Sequence, residues 1–573
     1  MTESSATLEG TRVSEGLRAW LAAGGVSLAV ALAILAPFLW LGTASGHDIQ
    51  FHIQSWIDAA NQWKEGILFP RWTEWANYGF GEPRFLFYPP LSWMLGAALG
   101  TVLPWTWIPA FFVMVVQTFA GISAFTLARQ FVSSRSAVLL GVAAYVANPY
   151  ALLVIYTRSD YAELLATSFY PLLLLLALRL CGFLETNAPK RKILAQLAFL
   201  FAAVWLSNAP AGVLASYSLA LLFFWAAVTR KSAQAALRGA SGLALGLGLA
   251  AFYLIPAAYE QRWVNIAGAL AEGLTPADNF LFAVTPDSEH DAFNRVASYI
   301  AVLTLAITIA AAFAWWGKLR ESEAARASRN AMRAALVLAT AASLMMLRVT
   351  NILWTYLPKL RFVQFPWRWM AVLAVVFALF VAATTTRRFV ALSWIALALM
   401  LSLTGAYLVR HTWWDSEDVN SVKEAVDSGA GFEGTDEYDP LGDDHTDVPK
   451  DQREAKLISE MEIDPSPKSE LQVIRWTAED RVLVAKTKGP AMVRLRLLHY
   501  PGWTITVNYK PVKTRRTVSY NAILVPISAG ESRIEARFTR TVDRTIGGWM
   551  STASLIGAGL LVGWPFKRRK ASA

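Results

Sequence analysis

Long apolar stretches alternate with short polar or basic turns through the first 410 residues, after which the rhythm changes. Apolar windows of helical length run over residues 17–42, 107–131, 136–156, 162–184, 193–209, 211–229, 239–258, 297–316, 332–348, 367–386, 390–409 and 547–566. Each is long enough to cross a hydrocarbon layer of about 30 Å as a helix, so the pattern predicts about 12 transmembrane helices. Residues 90–104 are also apolar, but as a helix they extend only about 20 Å, which predicts a juxtamembrane or half-inserted segment.

Beyond residue 410 the apolar runs shorten. Residues 413–450 hold 12 Asp or Glu against two Lys, and Gly429, Gly431, Gly434, Pro440 and Pro449 interrupt any helix, so 411–470 reads as an acidic linker or lid. Short runs follow at 471–476, 482–486, 492–498, 504–508, 522–527 and 533–538, several of them alternating, with turns such as Pro501-Gly502 and Ala529-Gly530 between them. Residues 471–545 are therefore expected to form a β-rich domain of sandwich type. Residues 546–573 return to the membrane as a last helix with a basic tail. The predicted class is an all-α polytopic membrane protein, 1–410, carrying a β-sandwich-like C-terminal domain.

Composition agrees with that class. A chain of 573 residues that is 55% hydrophobic and 16% charged, with mean hydropathy +0.38, does not suit packing in water. Its net charge of +10 is split into clusters between apolar runs instead of lying along one face, which excludes a nucleic-acid partner. If 90–104 does not cross, the clusters Arg129/Arg135, Lys190/Arg191/Lys192, Arg230/Lys231/Arg238, 318–333, Arg387/Arg388 and 567–570 share the side of the N-terminus. The positive-inside rule makes that side cytoplasmic, with both termini. The loops 43–89, 259–295 and 349–366, the turn at Asp160 and the region 410–544 then lie outside. The first apolar run is too long for an ordinary signal peptide and predicts an uncleaved span, although Thr43-Ala44-Ser45 supplies small residues for cleavage. The lone cysteine, Cys181, lies in an apolar run, so an intramolecular disulfide is excluded and a packing role is expected.

The first external loop, 43–89, carries the densest candidate chemistry. It opens with Gly46-His47-Asp48-Ile49-Gln50-Phe51-His52, continues through Asn77-Tyr78-Gly79-Phe80-Gly81-Glu82-Pro83-Arg84 and ends in Phe87-Tyr88-Pro89-Pro90. Residues 51–63 alternate apolar and polar positions at helical spacing, as a helix lying on a membrane surface does. Asp48 sits just past the first span, where partial desolvation raises a carboxyl pKa and suits it to accept a proton from a substrate hydroxyl. Alternatively, Asp48 simply caps the following helix. His47, His52, Glu82, Arg84 and Tyr88 are expected to line the same pocket. No Glu stands between His47 and His52 in a zinc-protease pattern, so no metal site is assigned.

A second acidic site follows the third span: Tyr156-Thr157-Arg158-Ser159-Asp160-Tyr161-Ala162-Glu163. Asp160 and Glu163 either join the chemistry or form a capping box on the fourth span. Acidic pairs at Asp48 and Asp160 are also able to share a divalent cation, although the spacing does not demand one. The third element is Leu360-Arg361-Phe362-Val363-Gln364-Phe365-Pro366-Trp367-Arg368-Trp369. Basic residues at an outer boundary oppose the positive-inside bias and call for an anion, with a lipid phosphate the obvious candidate for Arg361, Arg368 and Gln364. The alternative is that both arginines snorkel to headgroups while Trp367 and Trp369 anchor at the interface.

The layout resembles the GT-C class of integral-membrane glycosyltransferases: an acidic residue after the first helix, amphipathic segments in the first loop, a second acidic residue after the third helix and an external C-terminal domain. The His47-Asp48, Phe51-His52, 78–83, 87–90 and 364–368 strings, with Gly434-Thr435-Asp436-Glu437-Tyr438 and Tyr500-Pro501-Gly502-Trp503, are similar to a bacterial membrane-protein family labelled 6-pyruvoyl-tetrahydropterin synthase-related. That label implies a zinc-binding histidine triad for which this chain has no matching spacing. The GT-C resemblance implies a plasma-membrane enzyme that moves a sugar from a polyprenyl-phosphate-linked donor to a glycan, lipid or protein acceptor. It implies Asp48 as base, Asp160 as second acid, and Arg361 or Arg368 as donor-phosphate contact. Two other function classes fit the hydropathy: a transporter or flippase for a lipid-linked intermediate, and a non-enzymatic assembly factor for envelope glycans. The spans are nearly free of acids, which disfavours transport.

Overall fold

The computed structural model describes residues 3–321, 329–386, 388–415, 417–442, 448–450, 453–458 and 470–563, with side chains from residue 16 onward and outside 318–321. The expected basic tail, Arg387, much of the basic turn 318–333 and part of the acidic linker lie outside these residues.

Among the described residues, nine helices are long and apolar enough to cross a bilayer. The count becomes up to 11 if two bent pairs each form one span: Gln234–Leu249 with Ala251–Trp263, bent by 74°, and Arg329–Met345 with Arg348–Tyr356, bent by 90°. The window expected at 193–209 is helical, Lys190–Ser207, but its first turn is Lys190-Arg191-Lys192, and these charges keep it outside the apolar set. Arg135–Arg158 is 94% buried and Pro366–Thr384 is 83% buried, so these two run through the centre of the bundle. Val390–His411 and Val542–Gly563 are each 11% buried and present apolar side chains outward, as lipid-facing helices do.

The short apolar segment forms an 11-residue helix, Pro90–Gly100, started by Pro at its first position. It packs on the first-loop helix Ile49–Lys64, where Gly96 lies against the Trp56 ring with no room for a Cβ. The Ile49–Lys64 helix is amphipathic as expected, but it is not laid open on a surface. Its residues Ile49, His52, Ile53, Trp56 and Ala60 are buried in the main core, and Trp56 stacks on Phe112 at 5.2 Å. Aromatic residues from neighbouring spans, not lipid, cover its apolar side.

The C-terminal region contains two antiparallel sheets. A two-residue strand Thr43–Ala44 (β1) pairs with Trp414–Asp415 (β2), tying the end of the first span to the end of the Val390–His411 helix. Further on are β3 (Ala455–Ile458), β4 (Glu470–Trp476), β5 (Asp480–Thr487), β6 (Ala491–Leu498), β7 (Trp503–Val507), β8 (Lys510–Pro511), β9 (Arg515–Arg516), β10 (Ala522–Ile527) and β11 (Gly530–Phe538). One sheet has the order β3-β6-β10-β9 and the other β4-β5-β11-β7-β8. Leu457, Val493, Leu495 and Val525 of the first sheet share an apolar cluster with Leu483, Ala485, Ile534 and Ala536 of the second.

The first loop docks on this β-rich region. Trp72, fully buried, packs on Trp503 at 5.5 Å and on Phe538 at 5.7 Å, and Arg71 pairs with Glu479. The last helix is clamped at its start, where Arg544 grips Glu260 with two bonds of 2.7 Å and Tyr500 donates to the same carboxylate. Such bidentate pairing satisfies a carboxylate that is otherwise costly to bury.

Candidate functional site

Asp48 occupies the N-cap position of the Ile49–Lys64 helix, yet its side chain makes no capping bond. Its Oδ2 instead accepts from Arg158 Nη2 at 3.0 Å, and its amide donates to the Arg158 carbonyl at 2.9 Å. The two loops meet closely because residue 46 is glycine: a Cβ there would lie 2.5 Å from the Arg158 carbonyl carbon. Ser159 completes the junction. Its hydroxyl accepts from Gly46 N at 3.1 Å and donates to Ala44 O at 2.9 Å, while its backbone takes the left-handed conformation at φ 52°.

Arg158 ends a π-helical turn, Val154–Arg158, and is 3% exposed. One guanidinium reaches three carboxylates: Asp48 at 3.0 Å, Asp160 Oδ2 at 3.1 Å and Glu163 Oε2 at 2.8 Å. Asp160 serves two ends at once. Its Oδ1 caps the helix Tyr161–Ser168 by accepting from Glu163 N at 2.9 Å, and its Oδ2 pairs with Arg158 and, at 3.2 Å, with Arg368. One side chain thus caps the helix, as expected, and also lies on the cavity wall. Glu163 does not close a reciprocal capping box; its carboxylate is taken by Arg158, by Arg368 at 3.0 Å and by the Tyr150 hydroxyl.

Arg368 is 5% exposed and donates to Val363 O at 3.0 Å as well as to Asp160. Snorkelling does not describe it. Trp367 and Trp369 are buried too, and Phe365 stacks on Trp367 at 4.8 Å beneath the guanidinium groups of Arg158 and Arg368. Arg361 differs: it is exposed, lies over the Phe362 ring at 5.0 Å and stands outside the cluster. Gln364 takes a positive φ of 65° and donates to Ala269 O at 2.7 Å.

These groups open on a cavity of about 590 Å³. Of the residues expected in the site, His47, Asp48, Tyr88, Asp160, Gln364 and Arg368 line it. His52, Glu82, Arg84, Glu163 and Arg361 do not. Glu82 and Arg84 form a fully buried pair at 2.6 Å that holds Thr435 from behind the wall, through Thr435 N to Glu82 Oε2 at 2.8 Å and Arg84 Nη2 to the Thr435 hydroxyl at 2.9 Å. His52 is buried with Nε2 at 3.9 Å from Asp160, and burial lowers its pKa to about 4, so the ring is neutral.

The two aspartates are driven apart electrostatically. Burial pushes Asp160 up, but Arg158 and Arg368 outweigh it and hold the carboxyl below its usual range. Asp48 is raised by burial in the cavity wall and, against the pull of Arg158, by the Asp160 charge. Its side chain remains 37% exposed, so it is the acid that an incoming molecule can touch. Pairs of acids whose environments separate them in this way divide roles, one as fixed charge and the other as proton acceptor.

Three contributions lie beyond the site residues expected from the sequence. Arg158 is the hub, and its position at the outer end of an apolar span carries the same charge anomaly that drew attention to Arg368. Lys359, exposed at the cavity with φ 61°, donates to Gln261 Oε1 at 3.3 Å and is the cation of this wall without a carboxylate partner among the described residues. The strap 433–438 of the acidic region contributes Glu433, Thr435, Glu437 and Tyr438. No group of three or more His, Cys, Asp or Glu is arranged to hold a metal among the described residues; the Arg158 guanidinium lies between Asp48 and Asp160, where a shared divalent cation would sit. No protein-family model matches the chain, and no curated protein matches it.

Proposed function

We propose that the chain is an integral-membrane glycosyltransferase of GT-C type, which moves a sugar from a polyprenyl-phosphate-linked donor to an extracytoplasmic glycan, lipid or protein acceptor. The observation that carries this reading is a half-exposed aspartate, Asp48, on the wall of a 590 Å³ cavity beside two guanidinium groups. In this reading the helix Lys190–Ser207 is a twelfth span, the two sheets form a sandwich, and the cavity opens outside a bacterial plasma membrane with both termini inside. The charge bias of the basic turns supports that orientation.

Transfer proceeds by direct displacement. Asp48 accepts the proton of the acceptor hydroxyl as that oxygen attacks the anomeric carbon. The bond from that carbon to the phosphate oxygen breaks, its electron pair leaves with the polyprenyl phosphate, and configuration inverts. Lys359 and Arg368 face the charge that develops on the departing phosphate. Arg158 and Asp160 aim Asp48 and do not themselves exchange protons.

The test compares lipid extracts and surface glycans by mass spectrometry in wild-type, null and Asp48→Asn cells. Accumulation of one polyprenyl-phosphate sugar in both mutants supports the reading and names the donor. Normal glycans in Asp48→Asn cells sink it.

A further inference from the structure

We infer that a second hollow, between the first loop and the β-rich region, binds a neutral oligosaccharide through the Glu74 carboxyl and the Trp75 and Trp476 indoles. This hollow has a volume of about 390 Å³, within the usual range for small-ligand sites. It is walled on one side by residues 74–79 and on the other by β3 and β4, with Ser428 and Gly429 of the acidic region between them.

Glu74 supplies the independent sign of a ligand. It is 6% exposed, lines the hollow, and makes no side-chain hydrogen bond or ion pair among the described residues. A buried carboxyl without a partner is costly, and buried polar groups in native proteins nearly always have one. A ligand hydroxyl in the hollow would satisfy it. Trp75 and Trp476 are half-buried, and among the described residues neither indole nitrogen has a hydrogen-bond acceptor. Indoles with a free N–H offer an apolar face and a polar edge together, which suits the alternating C–H and O–H surfaces of a pyranose.

Charge selects among ligand classes. Burial pushes the Glu74 carboxyl up to about 8, so near neutral pH it is mainly the neutral acid, and Glu454 faces Arg453 and Arg496 around the hollow. A protonated Glu74 beside the indoles does not suit a quaternary ammonium, which needs a fixed negative charge, whereas its O–H and C=O can donate to and accept from the hydroxyls of a neutral sugar. Arg496 is occupied with the carbonyls of Tyr78 at 2.9 Å and Gly429 at 2.7 Å, so it shapes the wall. The inference does not depend on the transfer reaction. If both hold, the oligosaccharide is the far part of an acceptor: Gly429 at this hollow and Glu433 at the first are four residues apart, at most about 14 Å along the chain.

The experiment titrates the full chain in lipid nanodiscs with neutral tetrasaccharides of glucose, mannose, galactose and N-acetylglucosamine, and with choline as a cationic probe, by calorimetry. At least one tetrasaccharide is expected to bind. Glu74→Ala and Trp476→Ala should each weaken it about tenfold or more, while Glu74→Gln and Trp476→Phe restore most of the affinity. On the unmutated protein, the bound saccharide should protect Trp75 and Trp476 from oxidation mapped by mass spectrometry, a readout that does not need a folded variant. Asp48→Asn protein should bind as well as the native chain, which separates this site from the proposed transfer. Absence of tetrasaccharide binding at millimolar concentration, choline binding in its place, or unprotected Trp75 and Trp476 would overturn the inference.

Discussion

Asp48 and Arg158 are joined twice, by the Asp48 amide on the Arg158 carbonyl at 2.9 Å and by the Arg158 guanidinium on the Asp48 carboxylate at 3.0 Å. The double tie turns the carboxylate away from the helix it would otherwise cap and toward the cavity. Asp48→Asn keeps the shape and the amide bond but cannot take a proton. Transfer should fall by about 10² to 10⁴, with a thermal unfolding profile close to that of the native chain. Product formation within a few-fold of native would remove Asp48 from the reaction.

Arg158 should behave differently. Its removal leaves Asp160 and Glu163 buried with one cation, Arg368, between them. Arg158→Ala is expected to lose both transfer and stability, the latter by about 3–5 kcal/mol. Arg158→Lys, with one ammonium in place of a fork, cannot span three carboxylates and should recover little of either. A stable, well-folded Arg158→Ala protein would contradict the assignment of Arg158 as the hub.

The pH profile follows from the separated aspartates. Asp48 must be ionised to act as a base, and its pKa lies above the ordinary 3.8, so the rate should fall as pH drops through that raised value. Replacing Asp160 by Asn removes a negative neighbour and leaves Arg158 and Arg368 less neutralised; both changes favour ionised Asp48. The acidic limb of kcat/KM should therefore move to lower pH in Asp160→Asn, as an apparent value for the coupled group. An unmoved limb would show that another residue governs it.

Arg368 and Arg361, seven residues apart, offer an internal control. Arg368→Ala removes a buried partner of Asp160 and Glu163 and should abolish measurable transfer, whereas Arg361→Ala, an exposed residue over Phe362, should leave the rate within a few-fold of native. Lys359→Ala should raise KM for the lipid-linked donor. Equal losses in Arg361→Ala and Arg368→Ala would point back to headgroup anchoring.

Glu74 gives a prediction on stability alone. Burial raises its pKa to about 8 from 4.5, so the folded chain holds a proton that the unfolded chain releases between those values. That contribution is intact below about pH 4.5 and is lost as pH rises toward 8. Glu74→Gln removes it: the unfolding temperature of this variant should exceed native by several degrees at pH 8 and match it near pH 4.5. A constant difference across that range would count against a raised Glu74.

Much of the architecture was legible because lipid and sheet impose strong periodicities. The apolar windows, the short helix at 90–104 and the strands beyond 470 follow from length and alternation, and charge at a membrane boundary singles out Asp48, Asp160 and Arg368, which line one cavity. What stayed hidden depended on contacts between distant segments. The Ile49–Lys64 helix has an amphipathic pattern that reads equally as surface-bound or enclosed, and only Trp56 against Phe112 and Gly96 distinguishes the two. Glu82 and Arg84 carry the same residue types as a pocket, yet they face one another and Thr435. Arg361 and Arg368 are indistinguishable by spacing; the turn through Lys359 and Gln364, both at positive φ, sends one outward and the other in. Arg158 was obscured by its neighbours, since Ser159 and Asp160 already explained a helix start.

One short stretch of backbone serves both hollows: Ser428 and Gly429 line one, and Glu433, Gly434, Thr435, Glu437 and Tyr438 line the other. Gly431, held at φ 74°, brings this backbone so close to the first loop that an added Cβ would lie 2.6 Å from the Trp75 carbonyl oxygen. A bulkier residue there would push the stretch off the first loop, and the displacement would travel along the chain in both directions, toward each hollow.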